Sequence, residues 1–242
     1  PTTIISSAID SVSITYEGTP GTSEAYENDF HGAISQNIPV IWTDSEPYFS
    51  RDWYPCKMSL DDKIDSVDLI ISCPAQYRSA SNGLIASDVV ENGIRTTHWK
   101  HRYPIANYLV AYAVTNYQLE IDHSIMPNGD TLEIHNYVWP EDNVPGGDHP
   151  HALLPEVLEF FNEKFIPYPY ANEKYGHARW LGPGAMENQT ITFTYNYGIS
   201  LLAHELAHHW FGNYITCGSW QDIWLNESFA TFTEGIVHEE YY

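Results

Sequence analysis

The sequence is poor in positive charge. Ten Lys and Arg stand against 32 Asp and Glu, a formal net charge of −22. No basic stripe exists to meet phosphates, which disfavours nucleic acid as a partner. Cysteine is scarce, with only Cys56, Cys73 and Cys217 and no C-x-x-C pair. An odd count excludes a fully paired framework within one chain, while a single Cys56–Cys73 pair stays open. No apolar run reaches the length of about eighteen residues that a transmembrane helix needs. No signal peptide is visible. The chain starts at Pro1 without Met and ends at Tyr241-Tyr242 inside a helical pattern with no stop signal, so a piece of a longer protein is expected.

What is present points to a folded, β-rich protein. The 242 residues are 43% hydrophobic, enough for one large or two ordinary domains with a sizeable core. Tyr and Trp are abundant, at 18 and 8, which suits strands and interfaces. The acidity is uneven: net −7 through Gln118 and net −15 from Leu119 on. A solvated acidic surface is the plain reading, and attraction for cationic substrates the sharper one.

Residues 1–118 read as a β domain. "SAIDSVSITYEG" alternates apolar and polar residues, "DSVDLIISCP" and "NYLVAYAVTNY" are short apolar runs, and "SNG", "ENG" and "YEGTPGT" mark turns. A sandwich of short strands is the expectation. Residues 119–242 change pattern. "DTLEIHNYVWP" reads as a strand, "EDNVPGGDHP" as a loop, and "HALLPEVLEFFNEKF" as a helix. "KYGHARWLGPGAMENQTITFTYNY" reads as strand, Gly/Pro turn and strand. Two helices are expected, over about 200–211 and from about Asp222 to the end. The fold class is α+β.

The apolar stretch "GISLLAHELAHHWFGN" contains one polar cluster: His204, Glu205 and His208. Two histidines four apart share a helix face. Their nitrogens can bind one Zn²⁺, and the intervening Glu can take a proton from a zinc-bound water. The plain alternative is a helix with two partly buried histidines. A zinc site needs a third ligand, and Glu227 in "WQDIWLNESFATF" is the candidate: a lone carboxylate among Trp224, Leu225 and Phe229 is costly unless paired. His209 points about 100° away from His208 and is left out. In "WLGPGAMENQT", Gly182, Pro183 and Gly184 set a special backbone path, and Glu187 could hold an ammonium group. Taken alone, that stretch reads more readily as an ordinary hairpin turn with a surface Glu.

Together these pieces resemble the gluzincin aminopeptidases of the membrane-alanyl-aminopeptidase and leukotriene-hydrolase type. "HELAH", eighteen residues, then Glu227 in "WLNES", preceded by "GAMEN", carry the resemblance. "TDSEPYFSRDWYPC" adds the segment ending in Arg-x-x-x-Pro-Cys, and the likeness runs from about Pro39 to the end. It implies a β-sandwich-like N-terminal domain over 1–118 and the first part of a thermolysin-like zincin catalytic domain over 119–242. It implies one Zn²⁺ per chain on His204, His208 and Glu227, with Glu205 as general base. Glu187 and Glu46 would bind the free α-amine of a peptide, and Gly184 and Ala185 would line it as an added strand, with Met186 and Asn188 in the same motif. Asp222 and Glu234 are candidates to orient the ligand imidazoles. The reaction implied is removal of N-terminal residues from peptides.

The resemblance also implies a gap. The family's oxyanion-stabilising Tyr lies tens of residues past the third ligand, so this chain is expected to be weak or inactive alone. An epoxide hydrolase of the same family is the nearest alternative, although Gly-Ala-Met-Glu-Asn rather than Gly-Gly-Met-Glu-Asn favours the peptidase. A non-catalytic peptide-binding relic is the other, and the intact Glu205 argues against it. The sequons at Asn188 and Asn226 fall inside the motifs and are read as chance matches. The acidic, Tyr-rich, Lys-poor composition leads to the expectation of an exported protein, periplasmic or secreted. First-residue preference and oligomeric state stay open.

Overall fold

A computed structural model describes residues 11–18, 30–35, 37–142 and 152–242. Residues 143–150 of the expected loop "EDNVPGGDHP" and most of the "YEGTPGT" turn lie outside the described residues. In chain order the elements are β1 (Phe30–Ser35), β2 (Ile38–Thr43), α1 (Ser50–Trp53), β3 (Val67–Pro74), β4 (Arg78–Ser81), β5 (Leu84–Glu91) and β6 (Ile94–His101). Then come β7 (Tyr112–Thr115), β8 (Gln118–Ile125), β9 (Thr131–Val138), α2 (Leu154–Lys164), β10 (Tyr175–Arg179), β11 (Ala185–Met186) and β12 (Thr192–Thr194). The helices α3 (Ile199–His208) and α4 (Ile223–Tyr241) close the chain. The class is α+β, as the patterning predicts.

Among the described residues the N-terminal strands form a four-stranded sheet, β1-β2-β7-β4, and a three-stranded sheet, β3-β6-β5. Trp42 and Ala113 of the first share a core with Trp99 of the second, and Leu69 and Ile71 pack against it. Two readings need correction. Residues 11–18 of the alternating stretch form no strand and are exposed throughout, and the Tyr16 hydroxyl donates to the Trp53 carbonyl at 2.9 Å. Alternation only makes a strand where a partner supplies the ladder. "NYLVAYAVTNY" is not one strand either: a 3₁₀ turn over Asn107–Leu109 precedes β7.

The later strands build a five-stranded sheet, β11-β12-β10-β9-β8. β8 and β9 form an antiparallel hairpin, whereas β9, β10 and β12 run parallel. A parallel neighbour requires a crossover, and α2 supplies it between β9 and β10. Both faces are covered. Leu132, Ile134 and Val138 of β9 join α2, α3 and α4 in one core, while Tyr137 points into the core of the N-terminal sheets. That is why β9 lacks the clean alternation of a half-exposed strand.

The "SNG" turn is a buried joint rather than a surface turn. Asn82 Nδ2 donates to the carbonyls of Leu109 (2.9 Å) and Gln189 (2.7 Å), and its Oδ1 accepts from Ala111 N–H at 2.8 Å. Gly83 N–H donates to Thr190 Oγ1 at 2.8 Å. The N-terminal β part therefore grips the residues that follow "GAMEN". Gly83 holds φ +75°, and a Cβ there would lie 2.1 Å from the Lys100 carbonyl oxygen. Gly83→Ala combines a left-handed penalty with overpacking against backbone, so a loss of about 3 kcal/mol is expected. Urea unfolding of the purified variant would check it, with an unchanged midpoint the contrary result.

Candidate metal centre and amine pocket

Helix α3 starts after Gly198, whose N–H donates to Asn196 Oδ1 at 2.8 Å. Its Leu202, Ala203, Leu206 and Ala207 are buried in the helical core. The 3.6-residue period then fixes where His204 and His208 project. Helix α4 packs against α3 and carries Glu227 to the same point.

The three candidate ligands meet. His204 Nε2 and His208 Nε2 are 3.0 Å apart, and Glu227 Oε2 lies 3.3 Å from the first and 3.7 Å from the second. Tetrahedral zinc bonds of about 2.0–2.1 Å require ligand atoms about 3.3 Å apart. The triangle fits without rearrangement. The tautomers fit as well. His204 Nδ1 pairs with Glu234 Oε1 at 2.8 Å, and His208 Nδ1 with the Phe211 carbonyl at 3.1 Å. Each Nδ1 therefore carries a proton, which leaves the two Nε2 atoms facing each other as the ligand positions. That arrangement asks for a cation between them.

The electrostatics agree. Burial works against a charged His208, but Glu187, Glu227 and Glu205 overcome it and raise the ring to about 10. His204 is raised too, against burial, by Glu227, Glu205 and Glu234. The bonds from both imidazoles hold Glu227 far below the usual carboxylate range. A metal must displace a proton from His208, so apparent zinc affinity is expected to rise at least about tenfold per pH unit from pH 6 to 9. A competition titration with a zinc-sensitive dye at several pH values measures the slope, and a flat profile would contradict it.

Glu205 is buried, and its Oε2 finds no hydrogen-bond partner. Burial first, and Glu187 in addition, lift it to about 8, while His208 and His204 pull it down. An orphaned, buried, proton-hungry oxygen beside a metal triangle is what a general base requires.

Beyond Glu227 lies a second acidic group. Carboxylate oxygens of Glu46, Glu187 and Glu227 lie within 4.8 Å of one another. Glu187 is buried at 4% exposure, which removes the surface-Glu alternative. It follows β11 rather than entering a strand, and Asn213 Nδ2 holds its carbonyl at 2.8 Å. Burial and the charges of Glu187 and Glu227 raise Glu46 to about 9. Asp44 joins them, raised to about 6 by burial and Glu187. Such a cluster is relieved by an ammonium group. Among the described residues β11, the two-residue strand of Ala185 and Met186, pairs only with β12 and forms one edge of the five-stranded sheet. Gly184 just before it is exposed with φ +63°.

Sequence reasoning missed two groups here. Asp44 stood inside the quoted "TDSEPY", two residues before Glu46, and its spacing was the only signal. The Tyr108 hydroxyl reaches Glu187 Oε1 at 3.5 Å across 79 positions, which no local pattern reveals. Of the orienting candidates, Glu234 holds His204, whereas Asp222 accepts from Ser219 Oγ at 3.0 Å and bonds neither ligand. Asp222 stands at the N-cap position of α4, more than a turn from Glu227, with no side-chain cap bond, and its carboxylate is used in the local turn with Ser219. Trp224, Leu225 and Phe229 are exposed and Glu227 is half-buried, so the burial expected around Glu227 comes from α3 and not from its own helix neighbours. Asn188 and Asn226 are buried, in keeping with chance sequons. The three cysteines are thiols, so the Cys56–Cys73 pair does not form.

A helix bearing two imidazoles and a base, a second helix bearing the third ligand, and an acidic pocket beside an edge strand define a gluzincin-type zinc peptidase fold. Comparison with known proteins gives the same answer. Residues 195–242 match the Peptidase family M1 domain. Human glutamyl aminopeptidase is 31% identical over 83% of this chain and 22% of its own length, and human endoplasmic reticulum aminopeptidase 1 is 30% identical over 82% and 23%. Among solved structures, the M1 zinc metallopeptidase of Deinococcus radiodurans superposes with a TM-score of 0.71 at 25% identity, covering 83% of this chain and 46% of that one. A mutant of it bound to a Tyr-Ser-Ala substrate gives 0.75 at 24% identity, over 92% and 51%. Residues 195–242 carry the M1 family match, and most of the chain is similar to M1 zinc metallopeptidases, with an N-terminal β part followed by the start of the catalytic fold. The chain spans less than a quarter of the length of the curated relatives it matches.

Proposed function

We propose that this chain carries the zinc site and the amine pocket of a zinc-dependent aminopeptidase. The observation that carries the reading is the juxtaposition of the His204–His208–Glu227 triangle with the Glu46–Glu187 pair. Zinc held by the triangle would polarise a scissile carbonyl and acidify a water molecule. Glu205 Oε2 accepts the proton of that water and delivers it to the leaving amine. Glu187 and Glu46 hold the α-ammonium group, so the substrate is counted from its amino end and the enzyme is an exopeptidase. The open side of β11, with Gly184 and Ala185, offers backbone pairing to an extended peptide. Asn188, next to Glu187 in the chain, is buried with both side-chain polar atoms unpartnered.

Support for a peptide substrate comes from the Deinococcus neighbour, described as bound to Tyr-Ser-Ala. The division at 118/119 is part of the same proposal, and it is supported by β8, which begins at Gln118 and opens the five-stranded sheet. Elemental analysis of the chain purified without added metal or chelator tests the metal half. About one zinc per chain is expected. Zinc that stays near zero after supplementation would overturn the ligand assignment for this chain.

A further inference from the structure

His209 stands next to the metal helix and belongs to neither the metal triangle nor the amine pocket, yet it is fully buried. Its two ring nitrogens are both used. Nδ1 faces the Glu205 carbonyl at 3.2 Å, and Nε2 accepts the Thr190 N–H at 3.0 Å. Only one tautomer satisfies both bonds: the proton sits on Nδ1 and Nε2 keeps its lone pair. Burial favours the same neutral ring, lowering it to about 3. Tyr175 meets the ring edge-on with centroids 4.8 Å apart, and Tyr168 and Tyr170 close the remaining sides at 5.7 and 6.0 Å.

Both partners of the ring need it. α3 ends at His208, and the His209 backbone N–H turns back to the Leu206 carbonyl at 3.1 Å. The Glu205 carbonyl thus lies among the last-turn carbonyls that side chains commonly cap. Thr190 is left-handed at φ 67°, three residues past Glu187. Its carbonyl is held by the buried Lys174 Nζ at 2.8 Å and its hydroxyl by Gly83 N–H, leaving its N–H to the imidazole.

We infer that His209 is a positioning residue that ties the amine-binding turn to the helix of the base, fixing the separation between Glu187 and Glu205. The inference rests on the aminopeptidase reading, because only an amine-anchored substrate needs that separation. One imidazole spans from the backbone of Glu205 to the backbone of Thr190, with no flexible link between them. A substrate anchored at Glu187 then presents its first peptide bond at one distance from the Glu205 carboxyl group.

Three forms of the zinc-loaded chain test this: the wild type, His209→Phe and His209→Gln. Phe keeps the ring among the tyrosines and removes both bonds. Gln restores an acceptor for Thr190 and a donor for Glu205. The ¹⁵N spectrum of the wild type should show His209 protonated at Nδ1 alone. Calorimetry then compares Tyr-Ser-Ala with its N-acetyl form. H209F should lower the preference for the free amine about tenfold, with zinc content unchanged, and H209Q should regain most of it. Amide exchange at Thr190 should rise about tenfold or more in H209F, while the β8–β9 ladder is unaffected. Unchanged preference in H209F would overturn the inference, as would a loss that comes only with loss of zinc and ladder protection. A wild type that binds both peptides equally overturns the aminopeptidase reading instead. The positioning role is then decided by exchange at Thr190, and protection there that is the same in H209F and wild type sinks it.

Discussion

His208→Ala is expected to abolish zinc retention: about one ion per chain should fall to near zero after gel filtration. His208 is fully buried, its Nε2 sits 3.0 Å from His204 Nε2, and its Nδ1 is tied to the Phe211 carbonyl. Its removal leaves a two-ligand site of His204 and Glu227. Loss of an outer hydrogen bond to a metal ligand costs about 10–100-fold in affinity, and loss of the ligand itself should exceed that. The companion variant Glu234→Ala takes away only the carboxylate behind His204 Nδ1, so it should fall within that range. Equal zinc content in His208→Ala and wild type would mean the ion sits elsewhere. The acidic group of Glu46, Glu187 and Glu227 is then the next place to look.

Glu205→Gln is expected to separate binding from chemistry. The carboxylate is not one of the three ligands, and its Oε2 is buried without a partner. The amide is nearly isosteric and fills the same space. Zinc content should be unchanged, and turnover of aminoacyl substrates by the whole protein should fall about 10²–10⁴-fold, the usual worth of a positioned base. Substrate affinity should hold, because the proposed amine anchors, Glu187 and Glu46, are left in place. The substitution also removes a carboxyl group that burial has raised to about 8. Any limb of the pH–rate profile that belongs to this group should disappear with it. Residual turnover within tenfold of wild type would assign the base elsewhere.

The two experiments probe different residues of one acidic constellation. Asp44, Glu46, Glu187, Glu205 and Glu227 converge where burial and mutual repulsion raise three of them. Two imidazoles are the cationic groups that act directly on Glu227. A site of this kind gains by taking up a divalent ion and an ammonium group together.

The chemistry of the metal helix was legible from the sequence because it is local. His204, Glu205 and His208 lie within five residues, and helical geometry alone brings the two imidazoles to one face. The helix itself followed from its run of Leu and Ala, and β9 from "DTLEIHNYVWP", whereas its hairpin partner β8 appeared only in the structure. Glu227 and Glu187 could be proposed because their segments carry unusual polar residues among apolar ones. Tertiary structure decided the rest, because those facts depend on residues far apart in sequence. Burial of Glu187 follows from Tyr108 and Asn213, 79 and 26 positions away. Tautomers of the ligands follow from Glu234 and the Phe211 carbonyl. Asp222 was lost to a local turn, and the alternating stretch at 11–18 found no ladder to join. His209 shows the difference most plainly. Its sequence position predicts only that it points away from the metal, and the fold places Thr190 and a ring of three tyrosines where it points.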